Sequence, residues 1–210
     1  MINILLAHDN KDEILGVFFE QCASLSKNIL LPIAQIVELD SNSLNKETVE
    51  NTISQFDQHP FLFIAYSHGK DDALEQGYER YVSVENAYFF GTSFVYTFAC
   101  YTANELGNAL IAQNCHTFIG YDKEVRSVIE YHNIFAQCAV YGLERFIAGE
   151  TTGMIWEEMR NNYTQTIDSI DAYAGDFTVL YNLRKNRDAL ILLGNTNTTI
   201  NTIKTKNLNQ

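Results

Sequence analysis

Apolar positions along this chain switch repeatedly between two periods. Residues 2–7 make a short apolar run, and residues 11–26 then carry Ile14, Leu15, Phe18, Phe19 and Cys22 at helical spacing. A second run over 32–39 leads into Asp40, Ser41, Asn42 and Ser43, which supply turn and N-cap chemistry before a helix predicted over 46–56 by Val49, Ile53 and Phe56. Residues 61–66 are almost unbroken in apolar character, as a strand covered on both faces requires, and polar residues resume at Ser67-His68-Gly69-Lys70. Residues 71–92 are mixed and punctuated by Gly77 and Gly91, which predicts a loop holding at most a small hairpin.

The same alternation continues to the end. A strand over 94–99 runs into Cys100, a helix over 103–113 follows through Leu106, Ala109 and Leu110, and 117–121 is a short strand. Helices are predicted over 125–148 and 151–163, parted at Gly149, then a third helical stretch over 168–185 and a late strand over 188–194. Strands alternating with helices imply an α/β fold, a three-layer sandwich with a mainly parallel β-sheet and helices on both faces. We expect one domain over 1–195 and a polar, Asn- and Thr-rich C-terminal tail over 196–210.

Composition narrows the function classes. At 210 residues and 46% hydrophobic content the chain can bury one sizeable core. The net charge of -12 has the wrong sign for nucleic acid or an anionic membrane surface, so neither is expected as a partner, and a protein or peptide is more compatible. Cys22, Cys100, Cys115 and Cys138 form no CxxC pair, which argues against a zinc ribbon or redox motif; no metal and no cofactor is expected. The first residues lack a basic segment, and their apolar run is too short for a signal peptide or a membrane span. A cytoplasmic protein with free thiols is therefore the expectation.

In parallel sheets, sites gather at the carboxyl ends of strands. His68 and Cys100 follow the third and fourth large apolar strands, so if those strands are neighbours an imidazole can draw the proton from a thiol and leave the nucleophilic thiolate. Gly69 removes a side chain where a substrate carbonyl would approach, and its amide with that of Cys100 would form an oxyanion hole. His59 and His116 precede their strands and His132 lies in a helix. His8 shares the right edge but is separated from the fourth strand by the third, which suits substrate contact better than proton transfer.

Several separated segments between Phe61 and Gly194 carry a likeness to a known family, two of them above all. Phe61-Leu62-Phe63-Ile64-Ala65-Tyr66-Ser67-His68-Gly69 resembles the apolar strand ending in His-Gly of caspase-like (clan CD) cysteine peptidases, and Phe94-Val95-Tyr96-Thr97-Phe98-Ala99-Cys100 resembles their strand ending in Ala-Cys. Within that group the chain is most like bacterial CHAT-domain proteins and the clostripain and gingipain relatives. The resemblance implies an endopeptidase with His68 and Cys100 as its dyad, a setting such as bacterial antiviral defence or programmed cell death, and a regulatory protein partner that restrains it. It also implies that the loop after the first strand lines the specificity pocket, with Asp9 as anchor for a basic side chain beside His8 and Asn10. Asp122 and Glu124 are second candidates, and Arg126 would instead favour an acidic side chain. Phe98 stands where many relatives carry an acidic specificity residue. The alternative is a catalytically idle module that scaffolds a partner. A G-x-C-x-G elbow is ruled against by Phe98 and Thr102, and a receiver-like domain lacks its paired acidic residues.

Overall fold

The computed structural model describes residues 2–171 and 176–204. In chain order the elements are β1 (Ile2–His8), α1 (Gly16–Leu30), β2 (Ala34–Leu39), α2 (Lys46–Ser54), β3 (Phe61–Tyr66), β4 (His68–Lys70), β5 (Ala73–Gln76), β6 (Glu79–Ser83), β7 (Phe94–Phe98), α3 (Glu105–Ala112), β8 (Thr117–Tyr121), α4 (His132–Ile147), α5 (Thr152–Asp171), α6 (Phe177–Ala189), β9 (Leu190–Gly194) and α7 (Ile200–Ile203). Six strands form one sheet in the order β2-β1-β3-β7-β8-β9. All its pairings are parallel except β8 with β9.

Strand alternation divides the core in two. Ile4, Leu6, Leu62, Ile64, Tyr66, Phe94, Tyr96 and Phe98 point to one face, where α1, α4, α5 and α6 cover them. Leu5, Ala7, Phe61, Phe63, Ala65 and Val95 point to the other, under α2, α3 and the β5–β6 hairpin. Every residue of β3 is buried because both of its faces are covered, which is why its sequence shows no alternation. The expected α/β sandwich with helices on both sides of a mainly parallel sheet is what forms. Among the described residues no helix is long and apolar enough to cross a membrane.

Several boundaries differ from those predicted, each through a specific hydrogen bond. The first helix starts at Gly16 rather than at residue 11, because the Asp12 carboxylate accepts from the amides of Ile14 and Leu15 and winds that stretch into a turn. The helix predicted from residue 125 begins only at His132. Its first residues are held off the helical path by fully buried Asn186, whose Oδ1 accepts from the Arg126 amide (3.0 Å) and whose Nδ2 donates to the Arg126 carbonyl (2.7 Å). The stretch predicted as one helix over 168–185 is the end of α5 and the start of α6, the latter capped by Asp176, with 172–175 outside the described residues.

Residues 71–92 contain the hairpin β5–β6, which joins β4 in a separate antiparallel sheet directly after β3. Part of the expected C-terminal tail is built into the fold: Thr198 Oγ1 bonds Thr117 Oγ1 at 2.7 Å, the Thr198 carbonyl accepts from the first amide of α5, and Ile203 is fully buried. Residues 205–210 of that tail lie outside the described residues.

Asn186→Ala leaves the amide and carbonyl of Arg126 without their partners. The expected cost is about 1–3 kcal/mol of stability, read as a lower urea midpoint at unchanged slope, and an unaltered midpoint contradicts the role assigned to this side chain.

Candidate active site

Because β3 and β7 are parallel neighbours with Tyr66 opposite Phe98, the residues that follow them leave the sheet along one rim. His68 and Cys100 stand at matching places there, on strands about 4.8 Å apart. The contact between the two chain segments is intimate. A β-carbon added to Gly69 would lie 2.5 Å from the Cys100 carbonyl oxygen, 2.6 Å from Thr102 Cγ2 and 3.0 Å from Ala99 Cβ, so only glycine lets the backbone after His68 rest on the cysteine turn.

That turn is sharp and tied from several sides. Tyr101, next to the cysteine, has φ 63°, a left-handed conformation a tyrosine seldom adopts. The surrounding bonds impose it: the Tyr101 amide donates to the Lys123 carbonyl (3.2 Å), the Ala103 amide to the Tyr121 carbonyl (2.9 Å), and the Gly107 amide to the Thr102 carbonyl (2.8 Å). Buried Thr102 adds a hydroxyl bond to the Ala99 carbonyl at 3.3 Å. Cys100 is thereby displayed between a strand end and the start of α3.

His68 is held by two neighbours. Its Nε2 lies 2.9 Å from Asp12 Oδ2, and its ring stands edge-on to Phe19 with centroids 5.8 Å apart. Burial works to raise the Asp12 pKa, but the Leu15 amide, His68 and the Ile14 amide outweigh it, so the carboxyl is held below its ordinary range. The Cys100 sulfur is engaged elsewhere: it donates to the Val125 carbonyl (3.5 Å) and accepts from the Val125 amide (3.4 Å). Burial pushes the Cys100 thiol up; the Val125 bond and Arg126 pull it down and Glu124 pushes it further up, and the net shift is upward. The sulfur is turned to the backbone of Val125.

The remaining candidates from the sequence are placed as follows. His8 is 1% exposed, with Nε2 at 3.2 Å from Glu38 and Nδ1 at 3.5 Å from Glu20. The ring is thus enclosed by two glutamates, and with them, Asn10, Lys27 and Asp40 it lines a pocket separate from the His68 rim. Asp9 is also buried, and it accepts from Ser41 Oγ (2.8 Å) and the Gly77 amide (3.2 Å), fastening the β5–β6 turn to the end of β1. It nevertheless lines an open cleft of about 710 Å³ shared with Asp12, His68, Gly69, Glu75 and Tyr78. Asp122 lies on the far side of the cysteine turn: its amide donates to the Ala189 carbonyl, its carbonyl accepts from Asn104, and its Oδ1 is buried without a hydrogen-bond partner among the described residues. Glu124 and Arg126 pair with each other at 2.8 Å.

Two residues at the rim were missed from the sequence, Asp12 and Val125. Asp12 sits inside the run read as helix, and the available signal was its place shortly before Gly16, a helix breaker in an otherwise periodic stretch. Val125 acts only through its backbone, which leaves no signal in sequence. Among the described residues no group of three or more His, Cys, Asp or Glu side chains is disposed to hold a metal ion.

All four cysteines are free, and Cys100 alone among them is not fully buried. Iodoacetamide applied to the folded protein is expected to label Cys100 before Cys22, Cys115 and Cys138, at a rate that keeps climbing with pH beyond the ordinary thiol range near about 8.5. Mass mapping of the adducts checks both points; a rate that levels off at neutral pH contradicts the raised thiol.

No protein-family model matches the chain, and no curated protein matches it. Among solved structures it is similar to an X-ray structure of an inactive zymogen C11 protease from Parabacteroides distasonis, with 16% identity, a TM-score of 0.43, and coverage of 59% of this chain and 49% of that one. The chain thus spans about half the length of that protein.

Proposed function

We propose that this chain is a cysteine peptidase in which Cys100 is the nucleophile and His68 its base. One observation carries the reading: the two side chains follow adjacent parallel strands in matched register, and Gly69 is seated directly on the Cys100 carbonyl. A thiol and an imidazole brought to one rim from distant parts of the chain are the minimum for nucleophilic acyl transfer.

In this reading the sulfur exchanges its Val125 contact for His68 and gives up its proton to the imidazole as it attacks the scissile carbonyl. The Gly69 and Cys100 amides receive the developing oxyanion. Collapse of the tetrahedral intermediate breaks the C–N bond, and the imidazolium returns the proton to the leaving amine. Water, deprotonated by the same imidazole, then attacks the thioester, releasing the acid and restoring the thiol. The cleft beside His68, with Asp9 in its wall, is the place for a substrate side chain.

A second reading, a binding module without catalysis, draws on the sulfur's engagement with Val125 and its raised pKa. A peptide library digested by wild type and by Cys100→Ala separates the two. Cleavage that falls at least about 1000-fold in the alanine variant, with unchanged circular dichroism, is the expected result. Equal cleavage by both proteins eliminates Cys100 as nucleophile, and no cleavage or acyl trapping by wild type favours the binding module.

A further inference from the structure

We infer that Asp12 is a positioning residue that fixes the tautomer of His68, making Nδ1 the ring atom that takes the thiol proton. The inference rests on the peptidase reading for its catalytic consequence, but its structural core is independent of it. Asp12 Oδ2 lies 2.9 Å from His68 Nε2, within hydrogen-bond reach. An ionised carboxylate only accepts hydrogen bonds, so a neutral imidazole facing it must carry its proton on Nε2, and Nδ1 is left with the lone pair.

The carboxylate is itself well held. Its other oxygen, Oδ1, accepts from the amides of Ile14 (3.0 Å) and Leu15 (2.6 Å), and the Asp12 carbonyl accepts from the Gly16 amide (3.1 Å). Gly16 permits this folding back, since a β-carbon there would stand 2.7 Å from the Asn10 carbonyl oxygen. The loop between β1 and α1 is therefore wound so that one oxygen of Asp12 is spent on the chain and the other is aimed at His68. The ring is further confined by Phe19, on the same α1 that the loop introduces. Because β1 neighbours β3 with His8 opposite Tyr66, this loop and His68 emerge side by side.

The placement has functional content because β2 and β3 flank β1 on opposite sides. The chain after β1 turns one way and the chain after β3 the other, which opens a crevice at their carboxyl ends. The Asp12–His68 pair spans that crevice and lines the cleft described above. A carboxylate used solely to cap the turn would have no reason to direct its second oxygen at the imidazole.

The test compares wild type, Asp12→Asn and Asp12→Glu. Asparagine that keeps its oxygen on the Ile14 and Leu15 amides turns its NH2, a donor only, to the ring in place of the carboxylate acceptor. With histidine labelled by ¹⁵N and the pH mildly alkaline, the wild-type His68 ring is expected to show a single Nε2–H tautomer, and Asp12→Asn a shift toward the Nδ1–H tautomer. On a cleavable peptide, kcat of Asp12→Asn falls by about 100-fold or more with KM within twofold, and Asp12→Glu recovers part of the loss. An identical single tautomer in Asp12→Asn overturns the inference, as does a loss of kcat that merely follows a lowered melting temperature. If wild type cleaves nothing, the peptidase reading fails by that result, and the nitrogen spectra still decide whether Asp12 sets the tautomer.

Discussion

The register of β3 against β7 governs the rest of the rim. Tyr66 faces Phe98, so His68 and Cys100 leave the sheet together, and Gly69 comes to rest against the Cys100 carbonyl with no room for a β-carbon. A slip of one residue would turn every side chain of β3 to the opposite face and carry Phe61, Phe63 and Ala65 out of their cluster. The large hydrophobic penalty for that slip protects the register, and with it the relative position of an imidazole and a thiol that contribute little to the core themselves.

Around that constraint the structure builds two polar anchors with opposite effects. On one side, the loop after β1 brings Asp12 to His68 and holds the ring by hydrogen bond and aromatic contact. On the other, the strip after β8 places both backbone groups of Val125 on the Cys100 sulfur, and Asn186 of α6 locks the next residue. The sulfur is thus held by the backbone N–H and carbonyl of one residue, while the ring is oriented. A catalytic cycle of the proposed kind has to exchange the sulfur's contact with Val125 for a sulfur–imidazole contact, at the cost of two weak sulfur hydrogen bonds.

How much of this was legible follows from what each residue spends its side chain on. The strands were readable because burial on one or two faces imposes an apolar pattern, and 61–66 is nearly unbroken for the reason that α1 and α2 cover opposite sides. Helix starts were misread where a distant side chain captures the backbone: Asn186 holds Arg126, and Asp12 holds Ile14 and Leu15. Polar composition over 196–204 suggested a tail, yet Thr198 uses its hydroxyl to bond Thr117 and α7 buries Ile203. The place of His8 at the right edge was legible because it ends a strand, but the glutamates that enclose it come from α1 and β2 and left no local signal.

By itself the sequence determined the alternation of strands and helices, the doubly covered sheet, and the placing of His68-Gly69 and Cys100 just beyond two strand ends, because apolar periodicity and its abrupt stops are local properties. Only the tertiary structure decided that β3 and β7 are neighbours, that the sulfur rests on Val125, and that Asp12 rather than any histidine or aspartate singled out beforehand meets His68. Those are pairings between residues far apart in the chain, and they arise from strand order, crossover direction and backbone hydrogen bonds, which leave no period for a sequence to display.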